Sequence, residues 1–202
     1  MSKIYAGFAR YDITPEEYME MAGFGNDSQR ITTVVLDRLF GTCVALRDET
    51  GKTVLLCTSD LGSCSKTYMV GEARAAITAA TGVPGDHIMV AVAHNHAAPS
   101  PGRGSERKNR YQDLYVKQMT RAAVDAVADL SEAEISIGRK VGEHLTFDRH
   151  YFTNDGMPYG TGLGSIASGI KCHMDKADEQ IQLSGSAGKR VGISSWSTGS
   201  PT

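Results

Sequence analysis

The chain has 202 residues, of which 41% are hydrophobic and 22% charged, a composition typical of a globular protein with a sizeable core. Its formal net charge of −2 gives no basic excess, so we do not expect a nucleic acid partner. No apolar run is long enough to span a bilayer, and the start lacks the apolar stretch of a secretory signal. We therefore expect one cytoplasmic domain over residues 1–202, with four reduced, structural cysteines: Cys43, Cys57, Cys64 and Cys172.

The N-terminal part of the chain predicts a strand, a helix start and an antiparallel hairpin. Residues 3–10 have strand character, and Thr14 and Pro15 resemble the N-cap and first position of a helix. Residues 32–47 and 53–58 are β-branched and apolar, and the polar residues between them suit a hairpin connection.

The middle of the chain predicts a helix, a strand and a second helix. Residues 65–81 are Ala-rich and helical, with Gly82 as the stop signal. Residues 88–93 are apolar on both alternating faces, which predicts a central strand covered on both sides, with His94 at its C-terminal end. Residues 111–130 carry apolar side chains at helical spacing, so we expect this helix to pack against the sheet.

The C-terminal part predicts two more strands, at residues 134–141 and 190–196. Between them, residues 156–169 are rich in Gly and Ser and predict a loop that is functional or poorly ordered. Together these elements predict an α/β fold, a layered, mixed central sheet with helices on its faces and an N-terminal antiparallel hairpin.

His94 and His96 form the most informative motif of the chain, Ala-Val-Ala-His-Asn-His-Ala-Ala-Pro-Ser. On an extended backbone two residues separated by one project to the same side, so both rings can face one cleft. Imidazole is a common zinc ligand, but a catalytic zinc needs three protein ligands and an open position. The alternative is that both are polar loop residues bonded to backbone. The apolar strand before them and the small-residue loop after them favour a site.

Five segments follow one another in a characteristic order. Residues 7–14 read Gly-Phe-Ala-Arg-Tyr-Asp-Ile-Thr, residues 21–25 read Met-Ala-Gly-Phe-Gly, and a strand ends at Asp60 before Leu. Residues 94–99 read His-Asn-His-Ala-Ala-Pro, and residues 147–152 read Phe-Asp-Arg-His-Tyr-Phe. In order and spacing these segments resemble elements of the neutral/alkaline ceramidase family, including its shorter bacterial members, over essentially the whole chain.

The resemblance implies a zinc-dependent amidohydrolase that cleaves an N-acyl bond of a small-molecule or lipid amide with zinc-activated water. It implies that His94 is the zinc ligand, that His96 lies beside the substrate amide, and that Arg149 is a substrate-site arginine. Asp60 could orient a ligand histidine by accepting its other N–H. For Asp60 and Arg149 the alternatives are a turn cap and a surface ion pair.

The chain departs from the family's pattern at the next metal ligand, a His that precedes Pro, where Gly199 or Ser200 stands here. The family's later Glu and Tyr ligands have no counterpart in these residues. A second hypothesis is therefore a degenerate or truncated, non-catalytic relative that acts as a binding or structural domain. Because an N-terminal part alone would leave a sheet edge or face uncovered, we also expect a homo-oligomer.

Overall fold

The computed structural model describes residues 3–23, 30–63, 66–99 and 101–138, together with five strands farther along the chain. The chain divides into two compact units, Met1–Ala133 and Glu134–Thr202. The prediction that residues 1–202 form a single domain stays a prediction.

The first unit is built on a mixed sheet. Its strands are β1 (Ile4–Asp12), β2 (Phe40–Asp48), β3 (Thr53–Ser59), β4 (Ile88–Val92) and β5 (Ser131–Glu134). They lie in the order β5-β1-β2-β3-β4, where β3 and β4 pair parallel and the other neighbours pair antiparallel. The α/β fold class and the antiparallel hairpin predicted from the sequence are thereby confirmed.

Two α-helices accompany this sheet. α1 (Ala73–Thr81) continues a π-helical segment (Lys66–Glu72) and ends at Gly82, whose φ of 74° is left-handed and whose N–H donates to the Thr78 carbonyl. α2 (Glu106–Ala128) packs on β1 and β2, and the side chain of its N-cap, Ser105, accepts a hydrogen bond from a backbone N–H of the first turn. Neither helix is long and apolar enough to cross a membrane.

The core lies between the sheet and the helices. α2 approaches β1 and β2 closely because glycines face it, and a Cβ on Gly41 would overlap the Met119 sulfur. Burial of a large apolar side chain stabilises the folded state by about 1.5–3 kcal/mol. The fully buried side chains of this core include Ile13, Leu55, Ile77, Ile88, Tyr115 and Met119.

Cys43 and Cys57 lie directly opposite each other in the β2–β3 pair, and both are buried free thiols with their sulfur atoms 3.3 Å apart. The hydrogen bond to Cys57, together with burial, raises the pKa of the Cys43 thiol. These two cysteines are therefore reduced and structural, as predicted. The other two side chains lie outside the described part.

The loop between β1 and β2, residues 13–39, differs from the prediction. No helix begins at Thr14, and β2 begins at Phe40 rather than at residue 32. The Thr14 N–H donates to the Asp12 carboxylate, and the Thr14 hydroxyl accepts from the Leu39 N–H. Thr14 therefore joins the two ends of the loop and does not cap a helix. Burial opposes ionisation of Asp12, but the bonds from Thr14 and the nearby Arg38 lower the pKa of its carboxyl.

The β1–β2 loop folds back on itself as two extended segments. Glu20 and Ile31 form an antiparallel bridge. Next to it, the Thr32 N–H donates to the Met19 carbonyl at 2.8 Å, while the Met19 N–H donates to the Thr32 hydroxyl at 2.7 Å. Beyond this pairing, Met21 forms an antiparallel bridge with Pro99, which follows β4.

Two predicted strands are corrected. β4 is not a central strand, because in the described part of the chain it pairs with β3 alone and Met89 is 48% exposed. β5 begins at Ser131 rather than at residue 134, because its residues pair with the start of β1, and residues 135–138 are not in a strand.

The second unit is described through its strands. β6 (His150–Thr153) pairs antiparallel with β7 (Pro158–Gly160) and with β8 (Cys172–His173). β9 (Ile181–Gly185) pairs antiparallel with β10 (Arg190–Ile193).

Two predicted segments overlap the strands of this unit. The strand predicted at residues 190–196 is confirmed over residues 190–193. The Gly- and Ser-rich segment, residues 156–169, contains β7, and its other residues lie outside the described part.

Candidate active site

His94 follows β4 with a left-handed backbone, φ 58°. A non-glycine residue in this region is strained, and such strain concentrates at functional sites. The extended backbone predicted for the motif is therefore wrong. The strained residue is held from both sides, because the Ala93 N–H donates to the Ser59 carbonyl at 2.9 Å and the Asn95 N–H donates to the Leu61 carbonyl at 3.1 Å.

The two imidazole rings nevertheless contact each other. Their centroids are 4.7 Å apart at an interplanar angle of 87°, and the Nε2 atoms of His94 and His96 are 3.2 Å apart. His94 Nδ1 lies 2.7 Å from the Gly62 carbonyl oxygen, which can only accept, so Nδ1 carries the proton. In the neutral ring, Nε2 of His94 is then the unprotonated nitrogen, as a metal ligand requires.

The separation of the two Nε2 atoms also suits a metal site. Two nitrogens bound to one tetrahedral zinc lie about 3.3 Å apart, so the 3.2 Å between the Nε2 atoms of His94 and His96 fits both shared coordination and a hydrogen bond between the rings. No group of three or more His, Cys, Asp or Glu that could hold a metal occurs among the described residues. The described part of the chain therefore offers two imidazole nitrogens and no complete ligand set.

Asp60 lies at the end of β3 but does not contact His94. Its carboxylate accepts a hydrogen bond from the Phe40 N–H at 2.9 Å, and its own N–H donates to the Phe40 carbonyl at 3.0 Å. The acceptor that orients His94 is the Gly62 carbonyl, two residues farther on. The contacts of Asp60 are those of the turn-cap alternative, and Arg149 lies outside the described residues.

Ala22 and Gly23 of the β1–β2 loop pack against the histidine loop, residues 93–99. The Ala22 N–H donates to the Ala98 carbonyl at 2.9 Å, and Gly23 has a φ of 103°. A Cβ on Gly23 would lie 2.5 Å from Cγ of His96, and a Cβ on Gly62 would lie 2.6 Å from the Ala22 side chain. These glycines allow the two loops to approach closely enough for His96 to reach His94.

We expect Gly23→Ala to displace the His96 ring, because the added methyl group overlaps it and the backbone stays in a left-handed conformation. Histidine side-chain NMR resonances measure the displacement, and thermal unfolding measures the strain, about 1–3 kcal/mol. Gly51→Ala is the matched control, because Gly51 has a φ of 88° but open space around its Cα. Unchanged His96 resonances in Gly23→Ala would show that the two loops do not pack in this way.

An apolar groove opens beside the histidine loop. It has a volume of about 580 Å³ and is lined on one side by Asn95 and Ala97. Its other wall is the β1–β2 loop, where Leu36 is 88% and Val34 69% exposed. Clustered exposed apolar side chains at a groove are typical of a binding surface.

The comparisons with known proteins bear on the fold. No family model and no curated protein sequence matches the chain. A ceramidase solved in complex with C2 is similar in structure with a TM-score of 0.68 and 16% sequence identity, over 94% of this chain and 30% of that chain. The neutral ceramidase from Pseudomonas aeruginosa is similar with a TM-score of 0.66, 16% identity and coverage of 94% and 31%.

The chain has a ceramidase-like fold. This confirms the fold that the motif resemblance implied from the sequence. At 16% identity the likeness concerns the fold alone, and the chain spans about 30% of the length of the two ceramidases. Within the ceramidase-like fold, the histidine loop together with Ala22 and Gly23 of the β1–β2 loop forms one face of the candidate site.

Proposed function

We propose that this ceramidase-like fold serves the hydrolysis of an amide, with a zinc ion held through Nε2 of His94. The proposal rests on one observation, the hydrogen bond from His94 Nδ1 to the Gly62 carbonyl, which leaves Nε2 unprotonated and directed towards His96. A bound zinc ion supplies a Lewis acid for an amide carbonyl and lowers the pKa of a water molecule to about 7.

The residues around His94 have distinct roles in this proposal. Gly62 sets the ring orientation, and His96 lies beside the amide, where its Nε2 donates a hydrogen bond to a substrate oxygen. Arg149 is proposed as a fixed donor fork for a substrate carbonyl or hydroxyl. Since the described residues bring only two imidazoles together, the proposal requires further ligands from other residues of the chain or from a second copy of it.

The groove supports a lipid amide as the substrate. Its exposed wall residues, Val34 and Leu36 among them, suit an apolar chain, and its opposite wall is formed by residues of the histidine loop. An apolar chain in this groove would lie against Asn95 and Ala97, the residues on either side of His96. The two solved structures described above are ceramidases, which is consistent with this substrate class.

Zinc binding and hydrolysis of a fluorescent N-acyl amide test the proposal together. We expect His96→Ala to keep stoichiometric zinc but to lower turnover about 10²–10⁴-fold, the range for a lost proton-transfer or donor group. His87→Ala is the control, because His87 bonds to the Thr53 carbonyl instead. Loss of zinc in His96→Ala would make His96 a ligand, and absence of zinc from the unaltered protein would contradict the proposal.

The second candidate is a non-catalytic binding domain. The observation that favours it is the lack of a third possible ligand among the described residues. A folded protein that binds no zinc, yet takes up a fluorescent fatty acid in the groove, would support this function instead. Light scattering on the same sample would test the predicted homo-oligomer.

A further inference from the structure

Arg30 connects the two loops that form the candidate site. Its Nη2 donates to the His96 carbonyl at 2.7 Å, and its Nη1 donates to the Ala22 carbonyl at 3.1 Å. A single guanidinium can make both bonds because its N–H groups form a rigid planar fork. The side chain of Arg30 is half-buried, so both bonds are partly shielded from water.

These bonds occur where the histidine loop turns. On one side of His96, the Asn95 N–H is held by the Leu61 carbonyl, and on the other side Ala98 accepts from Ala22. Between these points, Arg30 holds the carbonyl of His96 itself. The other bond of Arg30 holds the backbone residue that precedes Gly23, against which the His96 ring packs.

We propose that Arg30 is a positioning residue that places the His96 ring against His94 by fixing the His96 backbone and the adjacent loop together. The Arg30 guanidinium donates to the backbone carbonyl of His96, so it acts on the His96 ring through the backbone that carries it. Where zinc binds at His94, which rests on the function proposed above, removal of Arg30 lowers turnover about 10- to 100-fold, the usual effect of a group that supports a metal site.

Arg30→Gln tests this role in the metal-free protein. In the unaltered protein the T-shaped contact of the rings, with centroids 4.7 Å apart, produces a nuclear Overhauser effect between His94 and His96. We expect this signal to disappear in Arg30→Gln and to persist in Arg38→Gln. Arg38 belongs to the same β1–β2 loop but pairs with Asp12 at 3.2 Å on the exposed side.

Hydrolysis of the fluorescent N-acyl amide then separates positioning from general stability. We expect lower turnover in Arg30→Gln, with zinc retained, at an unfolding midpoint near that of Arg38→Gln. Arg30→Lys keeps the positive charge but not the planar fork of donors. We expect its turnover to lie between that of the unaltered protein and that of Arg30→Gln. If Arg30→Gln does not fold, the ring signal in Arg30→Lys decides, and a signal of full strength overturns the proposal.

The outcomes also distinguish this role from the proposed function. A persistent ring signal in Arg30→Gln overturns the positioning role, whether or not zinc binds. If the unaltered protein binds no zinc, the proposed function fails, while loss of the ring signal in Arg30→Gln still supports the role of Arg30.

Discussion

Substitution of His94 by Asn is expected to abolish zinc binding while the fold stays intact. Asn tolerates the left-handed backbone at φ 58° better than most residues, and its amide N–H can donate to the Gly62 carbonyl as His94 Nδ1 does. The amide cannot replace the Nε2 lone pair. We therefore expect zinc affinity to fall by more than about 100-fold, beyond the range for groups that only support a site, and hydrolysis to fall with it.

The measurements are zinc content after dialysis, zinc affinity against a competing chelator, and urea unfolding. Asp60→Asn is the control, because Asp60 bonds to the Phe40 backbone and not to His94. We expect this variant to keep its zinc. Stoichiometric zinc in His94→Asn would contradict the assignment of His94, and loss of zinc in Asp60→Asn would restore the ligand-orienting role predicted from the sequence.

Substitution of Gly7 by Ala is expected to destabilise the protein severely. A Cβ on Gly7 would overlap the Ala126 carbonyl oxygen and would lie 2.8 Å from the Leu130 nitrogen and 2.9 Å from the Asp129 carbonyl carbon. All three are backbone atoms at the end of α2, so no side-chain rotation can relieve the overlap. Either α2 or β1 must move, which disturbs the core between them.

We expect the free energy of unfolding to fall by more than about 3 kcal/mol, the upper range for overpacking, against a total stability of about 5–15 kcal/mol. Urea unfolding at constant slope measures the loss. Gly85→Ala is the control, because its Cβ would meet its nearest neighbour, the Thr78 hydroxyl, at an ordinary 3.7 Å. Equal stability of the two variants would show that α2 does not approach β1 as closely as described.

The regular elements of the first unit could be predicted because their signals are local. The hairpin of β2 and β3 follows from two β-branched runs around a polar turn, and α2 follows from apolar residues at helical spacing. The start of α2 was predicted five residues late, at Tyr111 rather than Glu106. Its first turn is polar and exposed, so the apolar spacing carries no signal there, whereas the cap at Ser105 does.

The β1–β2 loop could not be predicted because its signals are not local. Thr14 and Pro15 have the residue types of a helix start, but the Thr14 hydroxyl bonds to Leu39, which is 25 residues away. β4 was predicted as a central strand from its apolar residues, yet in the described part it has one neighbour. A local sequence pattern indicates which secondary structure a residue favours, but it does not show which distant residue will bond to it in the folded protein.

The sequence by itself determined that His94 and His96 belong together, because their spacing, the strand before them and the small residues after them are all local features. Only the tertiary structure decided how the rings meet. The acceptor at His94 is a backbone carbonyl, Gly62, which carries no residue-type signal. The carbonyl of His96 accepts a hydrogen bond from Arg30, which is 66 residues away in the sequence. Nothing in the sequence next to Arg30 distinguishes it from a surface arginine. The spacing of the two histidines can be seen in the sequence itself. The orientation of their rings depends on contacts that form only when distant loops pack together.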